Sequence, residues 1–393
     1  MPPGGFTIGR PVLTVDTLRV AIVADLLEEG WPSMDLVADM LMAHAAGDGY
    51  LTPSLLRPRF AAVNGDGDST PPTIRRIAYR FWSYPRWLRQ QPAADVYHIV
   101  DHSYAHLAHD LPRGRVVVTC HDTDAFRSLL HPSDRESGLP RWLVKRVLRG
   151  LQLAAAVVCD SEATRAELVD HALVPLERTT VLPVGVHPDC TPSPERDADT
   201  AAATLTGPAG TSDLLHVGST IPRKRIDVLL ETLALVARSR PDARLWRVGG
   251  PFTTEQMNLA AELGVEGRIS VLPFVSRTVL AALYRRAALV LMPSEREGFG
   301  LPVIEAMACG TPILCSDLPV LREVGGDAAA YAPVGAPSMW AATIVELLRE
   351  REARPDRWSR RRTTGLAHSA AFSWQRYTDA MQDVYERLAR TAS

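Results

Sequence analysis

Two carboxylates eight positions apart, Glu297 and Glu305, enclose Gly298, Phe299, Gly300 and Leu301 where an apolar helical pattern begins. Glycine lets a backbone come close to a ligand, and the N–H groups that open a helix carry partial positive charge, an arrangement suited to phosphate. Carboxylates serve a different partner, because they accept hydrogen bonds from hydroxyls. Phosphate at amides and hydroxyls at carboxylates describe a sugar nucleotide better than a simple phosphate ester. A second anion corner lies upstream. There Asp213–Val217 reads as a strand, Gly218 and Ser219 as a turn, and Arg223, Lys224 and Arg225 as three consecutive cations before the helical run Ile226–Ser239. His102 and His121 follow apolar runs at 96–100 and 115–119, and residues at strand carboxyl ends face the cleft in open α/β sheets. A lone histidine is more often structural than functional, so the residues alone favour the structural reading and leave the functional one open.

The elements that must position these groups repeat one unit, a short apolar strand, a turn and a helix. Residues 289–292 form a buried strand closed by Pro293 and Ser294; Pro302 then suits the first turn of a helix over 303–308, and Gly310 ends it. A strand at 311–315 follows, with Asp317 and Pro319 opening another helix. The chain begins the same way, with a strand at 18–24, a loop at 25–33 and a helix at 34–45. Alternation in both halves predicts an α/β fold of two doubly wound, Rossmann-like domains facing a cleft. Between 188 and 212 the sequence turns to Pro, Asp, Ala, Thr and Gly without apolar periodicity. The expected division is an N-terminal acceptor-side domain over 1–190, a linker over 191–212, a C-terminal nucleotide-binding domain over 213–372 and a final helix over 373–393.

The string EGFGLPVIE at 297–305, with AMACGTPILCSD after it, resembles the Glu, seven residues, Glu signature of retaining GT-B glycosyltransferases of family 4, the glycosyl transferases group 1, with a mannosyltransferase-like character. The resemblance implies that the donor nucleotide lies on the C-terminal domain. Lys224 would contact the donor phosphates, Glu305 the ribose hydroxyls and Glu297 the hydroxyls of the donor sugar, while His121 approaches that sugar. Phe274 and Val275 stand where the family seats the base. Ser219 occupies a position where the family commonly has arginine, and Arg223 is the candidate to supply that charge. The first loop, LLEEGWPSM, holds the single Gly30 where the family is glycine-rich. Trp31, His102 and Tyr104 are expected on the acceptor side, and the final helix is expected to cross back to the N-terminal domain.

These implications make His121, Lys224 and Glu297 the catalytic candidates. The expected reaction moves a hexose from a GDP- or UDP-linked sugar to a saccharide, lipid-linked or small-molecule acceptor with retention, in cell-surface polysaccharide or glycoconjugate synthesis. No cofactor and no metal are expected. Asp122-Thr123-Asp124 spells a metal-holding Asp-x-Asp pattern, but 66–68 and 197–199 spell it too. The rival readings are a GT-B sugar-nucleotide epimerase and a degenerate member acting as a binding partner.

Composition bounds the rest. A chain of 393 residues favours two domains, and a net charge of −2 argues against a nucleic-acid binder. Five cysteines include no Cys-x-x-Cys pair and no histidine cluster at zinc spacing, so they read as reduced core residues. No apolar run approaches the ~20 residues of a membrane span, and the N-terminus lacks a signal-peptide core. A cytoplasmic protein is expected. Peripheral contact with the inner face of the membrane rests on residues 73–89, where arginines alternate with aromatics; Pro85 interrupts the pattern, and a plain helix with solvated arginines is the other reading.

Overall fold

The structure, a computed structural model, describes residues 17–29, 32–45, 50–60, 73–130 and 139–391; the expectations placed on Gly30, on Trp31 and on the N-terminus lie outside them. Among the described residues twelve strands form two parallel six-stranded sheets. The first contains β1 (Leu18–Val23), β2 (Leu51–Leu56), β3 (Val96–Ile99), β4 (Val116–Cys120), β5 (Ala156–Cys159) and β6 (Thr179–Val181), in the order β2-β1-β3-β4-β5-β6. The second contains β7 (Asp213–Val217), β8 (Arg244–Val248), β9 (Ile269–Leu272), β10 (Leu289–Met292), β11 (Ile313–Ser316) and β12 (Ala330–Ala332), in the order β12-β11-β10-β7-β8-β9. Strands covered by helices on both faces read as continuous apolar runs, and LVLM of β10 is buried at every position. The two doubly wound domains expected from the alternation are present.

Four departures from the sequence reading have physical reasons. The edge strand β2, LTPSLL, escapes the apolar pattern because it is partly exposed and contains Pro53, which an edge tolerates. The supposed linker holds the helix Arg196–Thr206, packed on the helix Arg277–Arg286. Its buried stripe is Ala198, Ala202 and Thr206, at helical spacing but too small to register as apolar periodicity, and Glu195 caps it by accepting from the Asp197 and Ala198 amides. Pro85 does not break the run after Thr73. The helix widens ahead of it, with the Tyr84 amide donating back to Tyr79 O, and Pro85 then opens the turn Tyr84–Leu88. Pro355–Ser369 forms a further helix absent from the sequence reading.

The closing helix Trp374–Thr391 packs on β1, β3 and the helix Pro32–His44 of the N-terminal domain. It buries Trp374, Tyr377, Met381, Val384 and Tyr385, one face of an amphipathic helix. The outgoing and returning passes of the chain touch: the Val186 amide donates to Phe372 O at 3.1 Å, and a Cβ on Gly185 would stand 2.3 Å from the Trp374 nitrogen. Among the described residues no helix is long and apolar enough to cross a membrane.

The docking of the closing helix includes one buried polar bridge. His98 on β3 meets Tyr385 Oη through Nδ1 and Thr119 Oγ1 through Nε2, both at 2.7 Å. Burial, with His121 nearby, lowers its pKa to about 3, so the ring is neutral. Tyr385→Phe leaves His98 Nδ1 without its partner, and the expected loss is about 1–3 kcal/mol in urea unfolding. An unchanged midpoint and slope would remove this bridge from the account of helix docking.

Candidate active site

In the C-terminal sheet β7 and β10 lie side by side while their following chains leave in opposite directions. That topological switch point opens a crevice beyond the strand carboxyl ends. Both corners found in the sequence sit there, the turn after β7 and the loop after β10, joined by the Glu295 amide donating to Arg223 O at 2.8 Å. Lys224 Nζ donates to Glu297 Oε1 at 2.5 Å, and Arg223 lies 3.6 Å from Glu297 Oε2. Arg225 turns aside and forks onto Asp227. Gly300, at φ 100°, caps the helix Leu301–Ala308, whose first turn presents its amides to the loop.

Glu305 lies within that helix, 6 % exposed, and accepts from Tyr284 Oη at 2.8 Å. Burial raises its pKa, against the opposing pull of Tyr284 and Arg277. Ser219 lies in the turn whose preceding carbonyl, Gly218 O, accepts from the fully buried Arg247 at 3.0 Å. Phe274, 74 % exposed, and the half-buried Val275 follow β9 at the outer side of the corner. Phe299 is buried in the core, so it supports the loop and does not line it.

The N-terminal domain meets this corner at the ends of β4 and β5. A Cβ on Gly298 would stand 1.8 Å from His121 O, so only glycine permits the approach. Gly298 O in turn accepts from Ser161 Oγ at 2.7 Å and Thr164 Oγ1 at 3.2 Å. Glu323 reaches across to accept from the amides of Glu162 and Ala163, a carboxylate at a helix N-terminus supplied by the other domain. Charge also crosses the seam: Arg223 pairs with Asp124 at 2.9 Å and Asp122 at 3.4 Å, and Arg296 pairs with Asp124 at 3.3 Å. The Asp-x-Asp carboxylates are thus engaged by arginine. Burial alone would raise the pKa of Asp122, but His102 and Arg223 hold it well below the carboxylate range.

His121 is anchored at both ring nitrogens, Nδ1 on Asp160 Oδ2 at 2.6 Å and Nε2 on Val100 O at 2.7 Å. Both partners are acceptors, so both nitrogens carry protons. Burial opposes the charge, yet Asp160 and Asp101 outweigh it and raise the pKa to about 10. His121 is therefore a fixed cation behind the seam rather than a base. His102 Nδ1 accepts the His121 amide at 3.3 Å, which leaves Nε2 to donate towards Asp122 Oδ1 at 3.4 Å.

Tyr104 departs from its expected acceptor contact. Its ring is 1 % exposed, because Arg80 covers it at 4.2 Å. Arg80 itself is not a solvated helix arginine, since it is held by Glu29 at 3.4 Å and by Ser103 O. Beside it lies a cavity of about 450 Å³ between the domains, lined by Arg80, Arg223, Arg296 and Asp124 together with Leu139, Val144 and Ile221. Asp160, Tyr284, Arg247 and Arg80 are the supporting residues that sequence reasoning missed; only Asp160, at a strand carboxyl end, carried a signal.

Residues 201–363 match the family described as Glycosyl transferases group 1, and residues 44–189 match Glycosyltransferase Family 4. A D-inositol 3-phosphate glycosyltransferase of Thermobispora bispora is 32 % identical over 259 residues, 61 % of this chain and 59 % of that protein. The chain thus spans about three fifths of that relative's length. The O-antigen chain mannosyltransferase B of Escherichia coli is 30 % identical over 280 residues, 70 % of this chain and 71 % of that protein. Among solved structures, Anabaena HepE, in complex with UDP and glucose, superposes with a TM-score of 0.70 over 94 % of this chain and 100 % of that one, at 15 % identity. At that identity the likeness is one of fold, two doubly wound domains in GT-B arrangement.

The fixed charge on His121 has a sign that can be checked. A folded pKa near 10 against about 6.5 in the unfolded chain contributes stability that is fully present below pH 6.5 and lost as pH rises through 10. Asp160→Asn removes the charge that outweighs burial. In NMR titrations the wild-type His121 ring is expected to stay protonated across pH 6–9, and the ring of the variant to be neutral at pH 7. A wild-type ring that titrates near pH 6.5 would contradict the assignment.

Proposed function

The chain belongs to the glycosyl transferases group 1 family, and on that premise we propose that it is a retaining hexosyltransferase. It takes a GDP- or UDP-linked hexose as donor and a saccharide, lipid-linked or small-molecule acceptor. The observation that carries this reading is the position of Glu297, held between Lys224 and Arg223 at the switch point, with the buried Glu305 one helix turn further in. Phosphate binds at the cations and at the helix amides, and hydroxyls bind at the two carboxylates. A relative named as a mannosyltransferase and a fold neighbour solved with UDP support a sugar-nucleotide donor.

In this reading Glu305, kept in place by Tyr284, accepts from the ribose hydroxyls, and Glu297 accepts from the donor sugar. Phe274 and Val275 flank the base. The acceptor hydroxyl oxygen bonds to the anomeric carbon as the carbon–oxygen bond to the diphosphate breaks on the same face. The proton passes from that hydroxyl to the departing phosphate oxygen, leaving a glycoside and a nucleoside diphosphate. Charge grows on the diphosphate, and Lys224 and Arg223 stabilise it in a cleft screened from water. Metal-free catalysis is part of the proposal, supported by the engagement of Asp122 and Asp124 with arginine. The acceptor occupies the interdomain cavity, its polar part towards Arg80 and Arg296 and its apolar part towards Leu139 and Val144.

A panel of UDP- and GDP-hexoses, assayed for nucleoside diphosphate release with EDTA present, tests donor and metal together. One donor is expected to turn over with EDTA present. Lys224→Ala should lower that rate by about two orders of magnitude with unchanged circular dichroism. Wild-type turnover in the variant, or activity abolished by EDTA and restored by magnesium, would undo the cation role.

A lipid-linked acceptor would bring the enzyme to a membrane. Trp82 and Trp142, 56 % and 58 % exposed, stand edge to face with centroids 6.3 Å apart, and the exposed Arg75, Arg86, Arg141 and Lys145 belong to the same two helical segments. Flotation with anionic vesicles should recover the protein at low salt and lose it as salt rises. No recovery at low salt would favour a soluble acceptor.

A further inference from the structure

On the C-terminal domain, at the end of the sheet opposite the switch point, a surface cavity of about 330 Å³ is lined by Arg285, Arg351, Arg362, Thr311, Trp358 and Ser359 among others, with no carboxylate in its lining. It lies where the chain enters β10 and β11, so it is separate from the nucleotide corner at their carboxyl ends. We propose that this cavity is a second anion site, built for the phosphate or diphosphate group of a small metabolite.

The charge arrangement carries the proposal. Arg351 donates to Thr211 O at 2.6 Å and Arg362 to Gly310 O at 2.7 Å, both backbone carbonyls. Neither forms an ion pair among the described residues. Their neighbours' acids are already committed, Asp199 to Arg285 at 2.9 Å and Asp213 to Arg244 at 2.7 Å. Two guanidinium groups that lack an ion pair among the described residues face one cavity and repel each other, and burial together with Arg362 lowers the pKa of Arg351 despite the opposing fields of Asp213 and Glu352. An anion placed between them removes that repulsion and gains charge-assisted hydrogen bonds, for which the guanidinium fork is shaped.

Two further features favour phosphate. Pro355, Trp358 and Ser359 belong to the opening turns of the fifteen-residue helix Pro355–Ser369, so its positive dipole end borders the cavity, and Arg354 before it provides no side-chain cap. The hydroxyls of Ser359 and Thr311 stand in the lining. Arg285 Nε is buried and has no hydrogen-bond partner among the described residues, although its other nitrogens are held by Thr191 O and Asp199. The site also backs onto the nucleotide corner through a single residue. Arg285 follows Tyr284, whose carbonyl accepts from Thr311 Oγ1 at 2.7 Å and whose hydroxyl holds Glu305.

Calorimetry with inorganic pyrophosphate on the full chain, in chloride buffer with the nucleotide corner saturated by whichever of UDP and GDP binds, isolates this site. One equivalent is expected to bind. The double variant Arg351→Gln, Arg362→Gln should weaken it at least tenfold, and Ser359→Glu, which adds a negative charge to the lining, should do the same without removing any cation. Arg376→Gln, remote from the cavity, should leave binding unchanged. No binding in the presence of that nucleotide, equal binding in the cavity variants, or an equal loss in Arg376→Gln would overturn the proposal. Should the chain bind neither UDP nor GDP, the donor reading fails, while the cavity variants still decide this one.

Discussion

The backbone of Gly298 rests against the carbonyl of His121, and the active arrangement depends on that contact. No side chain fits between them, so the loop after β10 and the end of β4 are brought to backbone distance across two domains. The approach sets Glu297 beside Lys224 and Arg223 and carries Arg223 to Asp122 and Asp124 of the other domain. Ser161 and Thr164 then satisfy the Gly298 carbonyl, which would otherwise be buried without a donor. Hydrophobic packing alone would tolerate small sliding between the domains; hydrogen bonds to one carbonyl do not.

Around this contact the charges alternate. Arg223, Lys224 and Arg296 face Asp122, Asp124 and Glu297, and behind them the His121 cation stands on Asp160. Charges removed from water gain little net stability from pairing, but their geometry is exacting. Such a network suits the diphosphate leaving group of the proposed reaction, because its dipoles and cations are already aimed. The sheet topology explains why it sits here, since the switch point between β7 and β10 is where two loops diverge and leave room.

Much of this was legible in the sequence, for identifiable reasons. Strands buried on both faces announce themselves, and β7 and β10 were placed to the residue. The turn with Lys224 and the loop with Glu297 and Glu305 could be found because their backbones require glycine and their chemistry requires charge. What escaped depends on the third dimension. Arg80 reads as one arginine among several until the fold folds it over Tyr104. Tyr284 looks like a helix residue of no distinction, yet its hydroxyl holds Glu305. The helix Arg196–Thr206 hides because alanine and threonine give no hydrophobic signal, although Ala202 is fully buried. Polar residues whose partners are distant in sequence leave no local pattern.

The outgoing pass at Gly185 and Val186 and the returning pass at Phe372 and Trp374 run in contact. Two crossings at one place behave as the pin of a door. Rotation about them leaves the pin intact, whereas shear or twist would have to break the Val186–Phe372 hydrogen bond and the packing around Trp374. The two crossings therefore resist shear more than rotation, and a small angle at the pin becomes a large displacement at the far rim. Any widening of the crevice is geared to that lever arm, while the seam near the pin keeps its register.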